Sequence, residues 1–275
     1  LDANKNADGT AALMFTYDNS RPVSLLTKPT NGAYIQNAAY LATISGTAYS
    51  DVANTPTASN VVQVLLNLGR ACGAGAQEWW NGTTWGAGPS DPPAFGATLS
   101  APNWSRSFTN TWDNGCRYSV VSRSADFAQN LEAPLSTSTF IVDLSTPQAV
   151  VQFPSDGGFA GVGAVTISGT AQEGFCTPAS CPGFDSGILS SSVTIALQDL
   201  TYPTTWWNGA AWVDNASPIW STATFVGTSS GTWTYSLPNG ALTDLRTYKV
   251  TARAKDRANN QQVDVTSNTF SADFS

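Results

Sequence analysis

Histidine is absent from all 275 residues. That excludes a Ser-His-Asp or Cys-His catalytic centre and any histidine-ligated metal. Charge is scarce too: Asp, Glu, Lys and Arg make up 11% of the chain, about half the usual share. Gly, Ser, Thr, Asn and Ala fill the surface instead, as is common in secreted and surface-anchored repeat proteins. The net charge of −7 argues against nucleic acid or an anionic membrane as partner. No stretch is apolar for long enough to span a bilayer, and none reads as a signal peptide. No segment keeps a 3.6-residue apolar period. Acidic residues are sparse and mostly sit beside Gly, Asn or Pro, where turn chemistry accounts for them. No enzyme is expected, although two buried carboxylates within reach of each other in a cleft would reopen that reading.

What is present is a repeat. Asp2-Ala-Asn-Lys-Asn6, Asp126-Phe-Ala-Gln-Asn130 and Asp256-Arg-Ala-Asn-Asn260 lie 124 and then 130 positions apart. Each leads to a Phe-x-x-Asp stretch: Phe15 to Asp18, Phe140 to Asp143, and Phe270 to Asp273. Between them, Ile44-Ser-Gly-Thr-Ala48 matches Ile167-Ser-Gly-Thr-Ala171, and Trp79-Trp-Asn-Gly82 with Trp85 matches Trp206-Trp-Asn-Gly209 with Trp212. Tyr118 to Asp126 matches Tyr248 to Asp256. The period is far longer than a solenoid repeat and has the size of a domain. The expected division is 1–18, the last strand of a preceding repeat or a donor strand, then units at 19–144 and 145–275.

Short alternating runs such as Val61 to Leu66 and Val193 to Leu197 read as strands. Asn81-Gly82 and Asn208-Gly209 read as type I′ hairpin turns, whose two central residues need positive φ. About seven strands per unit with closely spaced turns give an all-β fold: two tandem antiparallel Ig-like sandwiches on short linkers, plus an N-terminal orphan strand. Of the four cysteines, Cys176 and Cys181 would close a small loop in the second unit, while Cys72 and Cys116 both fall in the first. The spacing suits zinc poorly. Two disulfides within the units fit better and imply an oxidising compartment.

These motifs resemble the Big-type bacterial Ig-like repeats of large surface and secreted, adhesin-like proteins. The pattern runs Phe-x-x-Asp-x-x-x-Pro (Phe15 to Pro22, Phe140 to Pro147), then Ile-Ser-Gly-Thr-Ala, then the Trp-Asn-Gly hairpin. It ends with Tyr-x-Val through Asp-x-Ala-x-Asn (Tyr118 to Asn130, Tyr248 to Asn260). The family's usual Ala-Gly-Asn stands here as Ala-Gln-Asn and Ala-Asn-Asn. The resemblance covers nearly the whole chain and implies fold more than function, because such repeats serve as spacers in some proteins and binding modules in others.

Three candidate sites follow. Asp143, Asp185, Asp256 and Asn260 should converge where the linker enters the second unit, and Asp18, Asp51, Asp126 and Asn130 at the first. Hard oxygen ligands there could hold Ca²⁺ and stiffen the junctions; alternatively they cap turns by accepting backbone N–H groups. In the hairpins, Trp79, Trp80, Trp85, Trp206, Trp207 and Trp212 alternate faces, so one ring of each pair should face out. Exposed rings could stack a glycan; packed rings would be scaffold. In the orphan strand, Leu13, Phe15 and Tyr17 could be donated to a neighbour's sheet. The expected function is a non-enzymatic structural protein of the cell surface or extracellular space: a stalk, fibre or adhesin on a bacterial surface, or such a fibre polymerised by strand donation from the N-terminal segment. Its partners would be neighbouring Ig-like repeats or identical subunits, with a surface glycan or protein receptor beyond them. The alternative is a carbohydrate-binding module.

Overall fold

The computed structural model describes residues 18–50, 61–73, 75–87, 93–108, 112–174 and 184–275. Leu13, Phe15, Tyr17, Asp51, Cys176 and Cys181, with the roles given to them above, lie outside that set. No α-helix occurs among the described residues; one 3-10 turn spans Ala38–Ala42. In the first unit the strands are β1 (Val23–Lys28), β2 (Ala33–Ile35), β3 (Thr43–Tyr49), β4 (Val61–Cys72), β5 (Glu78–Trp80), β6 (Trp85–Ala87), β7 (Phe95–Gly96), β8 (Thr98–Ser100), β9 (Asn103–Ser107), β10 (Cys116–Asp126) and β11 (Ser136–Val142). The second unit repeats them as β12 (Gln148–Phe153), β13 (Gly158–Ala160), β14 (Val165–Gln172), β15 (Thr194–Asp199), β16 (Thr205–Trp207), β17 (Trp212–Asp214), β18 (Ser221–Thr222), β19 (Thr224–Gly227), β20 (Ser230–Leu237), β21 (Thr247–Arg253) and β22 (Thr266–Ala272). The expected seven strands per unit undercount these pieces, because the edges of each sandwich are broken into segments of two to four residues.

Each unit faces a four-stranded sheet, β1-β3-β9-β8 or β12-β14-β20-β19, against a seven-stranded one. The larger sheets run β2-β11-β10-β4-β5-β6 and β13-β22-β21-β15-β16-β17, with β7 and β18 added on β4 and β15. This is the Ig-like sandwich. Every pairing is antiparallel except the outermost: β2 lies parallel to β11, and β13 parallel to β22.

Alternation builds the core. Along β3, Ile44, Gly46 and Ala48 point inward between partly exposed neighbours. Each unit has its own apolar cluster, one drawn from residues 35–142 and the other from 149–272. The repeated Ser-Gly-Thr now has a reason. Gly46 pairs with Trp104, and Gly169 with Trp233. A Cβ on Gly46 would sit 2.3 Å from the Trp104 ring and 1.9 Å from the Leu25 carbonyl. The absent side chain lets the indole lie flat across the strand, with its N–H donating to Thr47 O at 3.0 Å, and in the second unit to Thr170 O at 3.1 Å. Tyr118 and Tyr248 accept the backbone N–H five residues upstream, from Asp113 at 2.7 Å and Thr243 at 2.8 Å. These are the tyrosine corners of an Ig-like sandwich.

The hairpin expectation needs correction. Trp80 pairs with Trp85 and Trp207 with Trp212, so each loop holds four residues. Gly82 and Gly209 have positive φ, but Asn81 and Asn208 do not, which rules out type I′. The asparagine side chains set the turn instead. Asn81 Oδ1 accepts from the N–H groups of Thr83 and Thr84, each at 2.9 Å, and Asn208 Oδ1 from those of Ala210 and Ala211 at 2.9 and 2.8 Å.

Candidate functional site

The hairpin tryptophans are packed. Trp80 meets Trp85 at 5.3 Å between centroids, and Trp85 meets Tyr118 at 5.6 Å. Trp207 and Trp212 repeat this at 5.6 Å, with Trp212 stacked on Tyr248 at 5.3 Å. Trp79 lies beside Gly69 and Trp206 opposite Gln198. Trp207 is buried, and the other five are partly buried. Trp80, Trp85, Trp207 and Trp212 thus pack toward the tyrosine corner as scaffold, while Trp79 and Trp206 alternate to the other face of their strands.

Cys72 and Cys116 form a disulfide across directly paired positions of β4 and β10, with their Cα atoms 4.5 Å apart. The bridge therefore clips two neighbours in one sheet. It does not cross between sheets as in antibody domains.

The recurring Asp-x-x-x-Asn element is a latch. Asp256 Oδ1 accepts the Asn260 N–H and Oδ2 its side-chain amide, both at 2.8 Å. The same amide donates to Asp143 O in the linker at 2.8 Å. In the first unit, Asn130 binds both Asp126 oxygens at 2.8 and 2.9 Å and Asp18 O at 3.0 Å. The residue before each Asn, Gln129 or Asn259, has φ of 66° or 79°. That is the left-handed conformation, which glycine adopts most easily and asparagine next.

At the second latch the acids gather. Carboxylate oxygens of Asp143, Glu173 and Asp256 lie within 4.8 Å of one another. Asp143 is fixed by the Ser145 N–H at 3.1 Å and the Ser186 N–H at 2.7 Å. Asp185 stands nearby, held by the Ser229 hydroxyl at 2.7 Å. Both Glu173 oxygens and the Ser186 hydroxyl are buried without a hydrogen-bond partner. Burial pushes the Glu173 carboxyl up to about 8, and the charges of Asp143, Asp256 and Asp185 add to that. Asp256 is likewise raised, chiefly by burial. Oxygens each about 2.4 Å from a shared Ca²⁺ would be at most about 4.8 Å apart, so this donor set fits a hard cation.

Sequence reasoning placed Asp143, Asp185, Asp256 and Asn260 together, and the structure does bring them together. It missed Glu173 and Ser186. The available signal was an acid directly after β14, where the first unit has Ser50 at the matching place. Asp18 and Asp126 serve the first latch, with Asp18 Oδ1 accepting the Ser20 N–H at 2.9 Å.

No protein-family model matches the chain, and no curated protein matches it. Solved structures do. Fibronectin(III)-like modules of Clostridium thermocellum CbhA are 12% identical over 92% of this chain and 95% of theirs, with a TM-score of 0.37. A 1.5-MDa bacterial ice-binding adhesin is 17% identical over 94% of this chain and 67% of its own, with a TM-score of 0.39. A Ca²⁺-stabilized adhesin of an Antarctic bacterium is 16% identical over 97% of this chain and 52% of its own, with a TM-score of 0.34. With every TM-score this low, the fold assignment rests on the strand pairing above.

Proposed function

We propose that this chain is a load-bearing extracellular spacer, built from Ig-like modules at 19–144 and 145–275 and locked at their junction by Ca²⁺. The observation that carries the mechanical part is the parallel pairing of β2 with β11 and of β13 with β22. Tension along the chain pulls such a pair in opposite directions along its length, so its hydrogen bonds resist together and do not unzip singly. The Asn260 latch and the acid cluster bind the linker to the second unit, which directs load into that shear geometry. The disulfide suits an oxidising compartment outside the cytosol, and no helix among the described residues is long and apolar enough to cross a membrane.

An enzyme is disfavoured although carboxylates do cluster. Asp143 and Asp256 are each 2% exposed, and their oxygens already hold backbone and Asn260 donors, which leaves a substrate no access. Single-molecule pulling tests the mechanical reading. Two unfolding events of high force are expected, and Phe159→Pro, which places a ring and no N–H in β13, should lower one of them. Two weak events unchanged in the variant would contradict it.

A further inference from the structure

Beside the junction lies a cleft of about 420 Å³, within the range of small-ligand sites. Tyr34, Gln36, Asn37 and Tyr40 of the first unit form one wall, and Arg257 and Asn259 of the second unit the other. We propose that this cleft binds an acidic saccharide.

The chemistry of the walls argues for that class. Tyrosine rings offer flat surfaces with a polar edge, which suit a sugar ring. Side-chain amides give and accept hydrogen bonds, as hydroxyls require. Arg257 makes no ion pair among the described residues. Nor does Lys28, whose ammonium lies 4.4 Å from the Tyr40 ring centre. A guanidinium fork matches a carboxylate. Two uncompensated cations flanking tyrosines therefore call for an anionic ligand with a stackable body.

The fold itself does not demand this lining. The chain holds most of these positions twice, so the comparison is internal. Tyr34, Asn37 and Arg257 correspond to Phe159, Val162 and Phe127, which are 66%, 77% and 77% exposed. The same sandwich thus accepts apolar side chains at those places. Tyr40 sits on the 3-10 turn Ala38–Ala42, which has no counterpart in the second unit. The cleft is also preformed. The Asp143 N–H donates to Ile35 O at 3.0 Å and the Arg257 N–H to Gly187 O at 3.0 Å, which tie the two walls to the linker and to the second unit's loop.

The test is calorimetric titration of the full chain, in calcium, with a hyaluronan tetrasaccharide, its carboxyl-reduced form and tetraglutamate. The acidic tetrasaccharide should bind in the micromolar to millimolar range, and the other two at least tenfold more weakly. Arg257→Gln and Tyr40→Ala should each weaken it about tenfold or more; both residues are exposed, so melting curves should be unchanged. Absence of binding, equal binding of the reduced form, or indifference to both variants would overturn the proposal. Equal binding of tetraglutamate would also overturn it, in favour of an acidic peptide. A titration that fails while calcium still raises the melting temperature leaves the spacer reading intact.

Discussion

In chelator the second unit should melt roughly 10 °C lower than in calcium. With calcium a hundredfold above its dissociation constant the linkage is about 2.7 kcal/mol, and a unit of this size shifts a few degrees per kcal/mol. Glu173→Gln should behave in a way that mere surface charge would not. It should erase most of the response to calcium, yet above pH 8 it should melt higher than the wild type in chelator, because there the wild-type carboxylate is a buried charge that has no partner and the amide is neutral. The sign with pH follows. A carboxyl raised by folding from 4.5 to about 8 binds more protons folded than unfolded between those values. Metal-free stability should therefore fall as pH rises from 4.5 to about 8 and level off above. Asp256 acts in the same direction. The calcium increment should grow over the same interval, since the ion competes with the proton. Scanning calorimetry of both proteins across pH reads all of this. A wild type indifferent to calcium at pH 8 would remove the cation from the account.

The double variant Cys72→Ser, Cys116→Ser should cost the first unit about 4 kcal/mol, the loop-entropy value for residues this far apart; the separation is 44. That is a large share of the 5–15 kcal/mol that holds a typical domain. The transition of the second unit should stay where it was, because the two apolar clusters share no residue. Calorimetry of the variant in calcium should thus separate one melting event into two. A single transition that shifts as a whole would show that the units fold as one body.

The repeat, the strands and the junction aspartates were legible because each depends on local spacing: alternation for β3 and β14, a fixed Asp-x-x-x-Asn for the latch. Glu173 was not, because its role arises only when the end of β14 meets a linker 30 residues before it and a turn 83 residues after it. The hairpin was misread for a local reason: the asparagine side chain, and not its backbone, makes the turn. Most hidden of all was a buried socket. Glu132 accepts from the N–H and hydroxyl of both Ser24 and Ser124, at 2.6 to 2.9 Å. At the matching places the second unit has Gln262, Ala149 and Ala254, with Gln262 Oε1 accepting the two alanine N–H groups at 2.7 and 3.2 Å. Where the acceptor is a carboxylate the neighbours supply hydroxyls, and where it is an amide they are apolar. No single-position rule shows that exchange, because one of the two partners lies about 110 residues away in sequence.

The most direct test of a cation-locked rod is small-angle X-ray scattering of the full chain in calcium and in chelator, with Glu173→Gln alongside. An extended two-module particle is expected in calcium, and a broader, more flexible distribution in chelator that the variant shows under both conditions. Identical profiles for the wild type with and without calcium would contradict it.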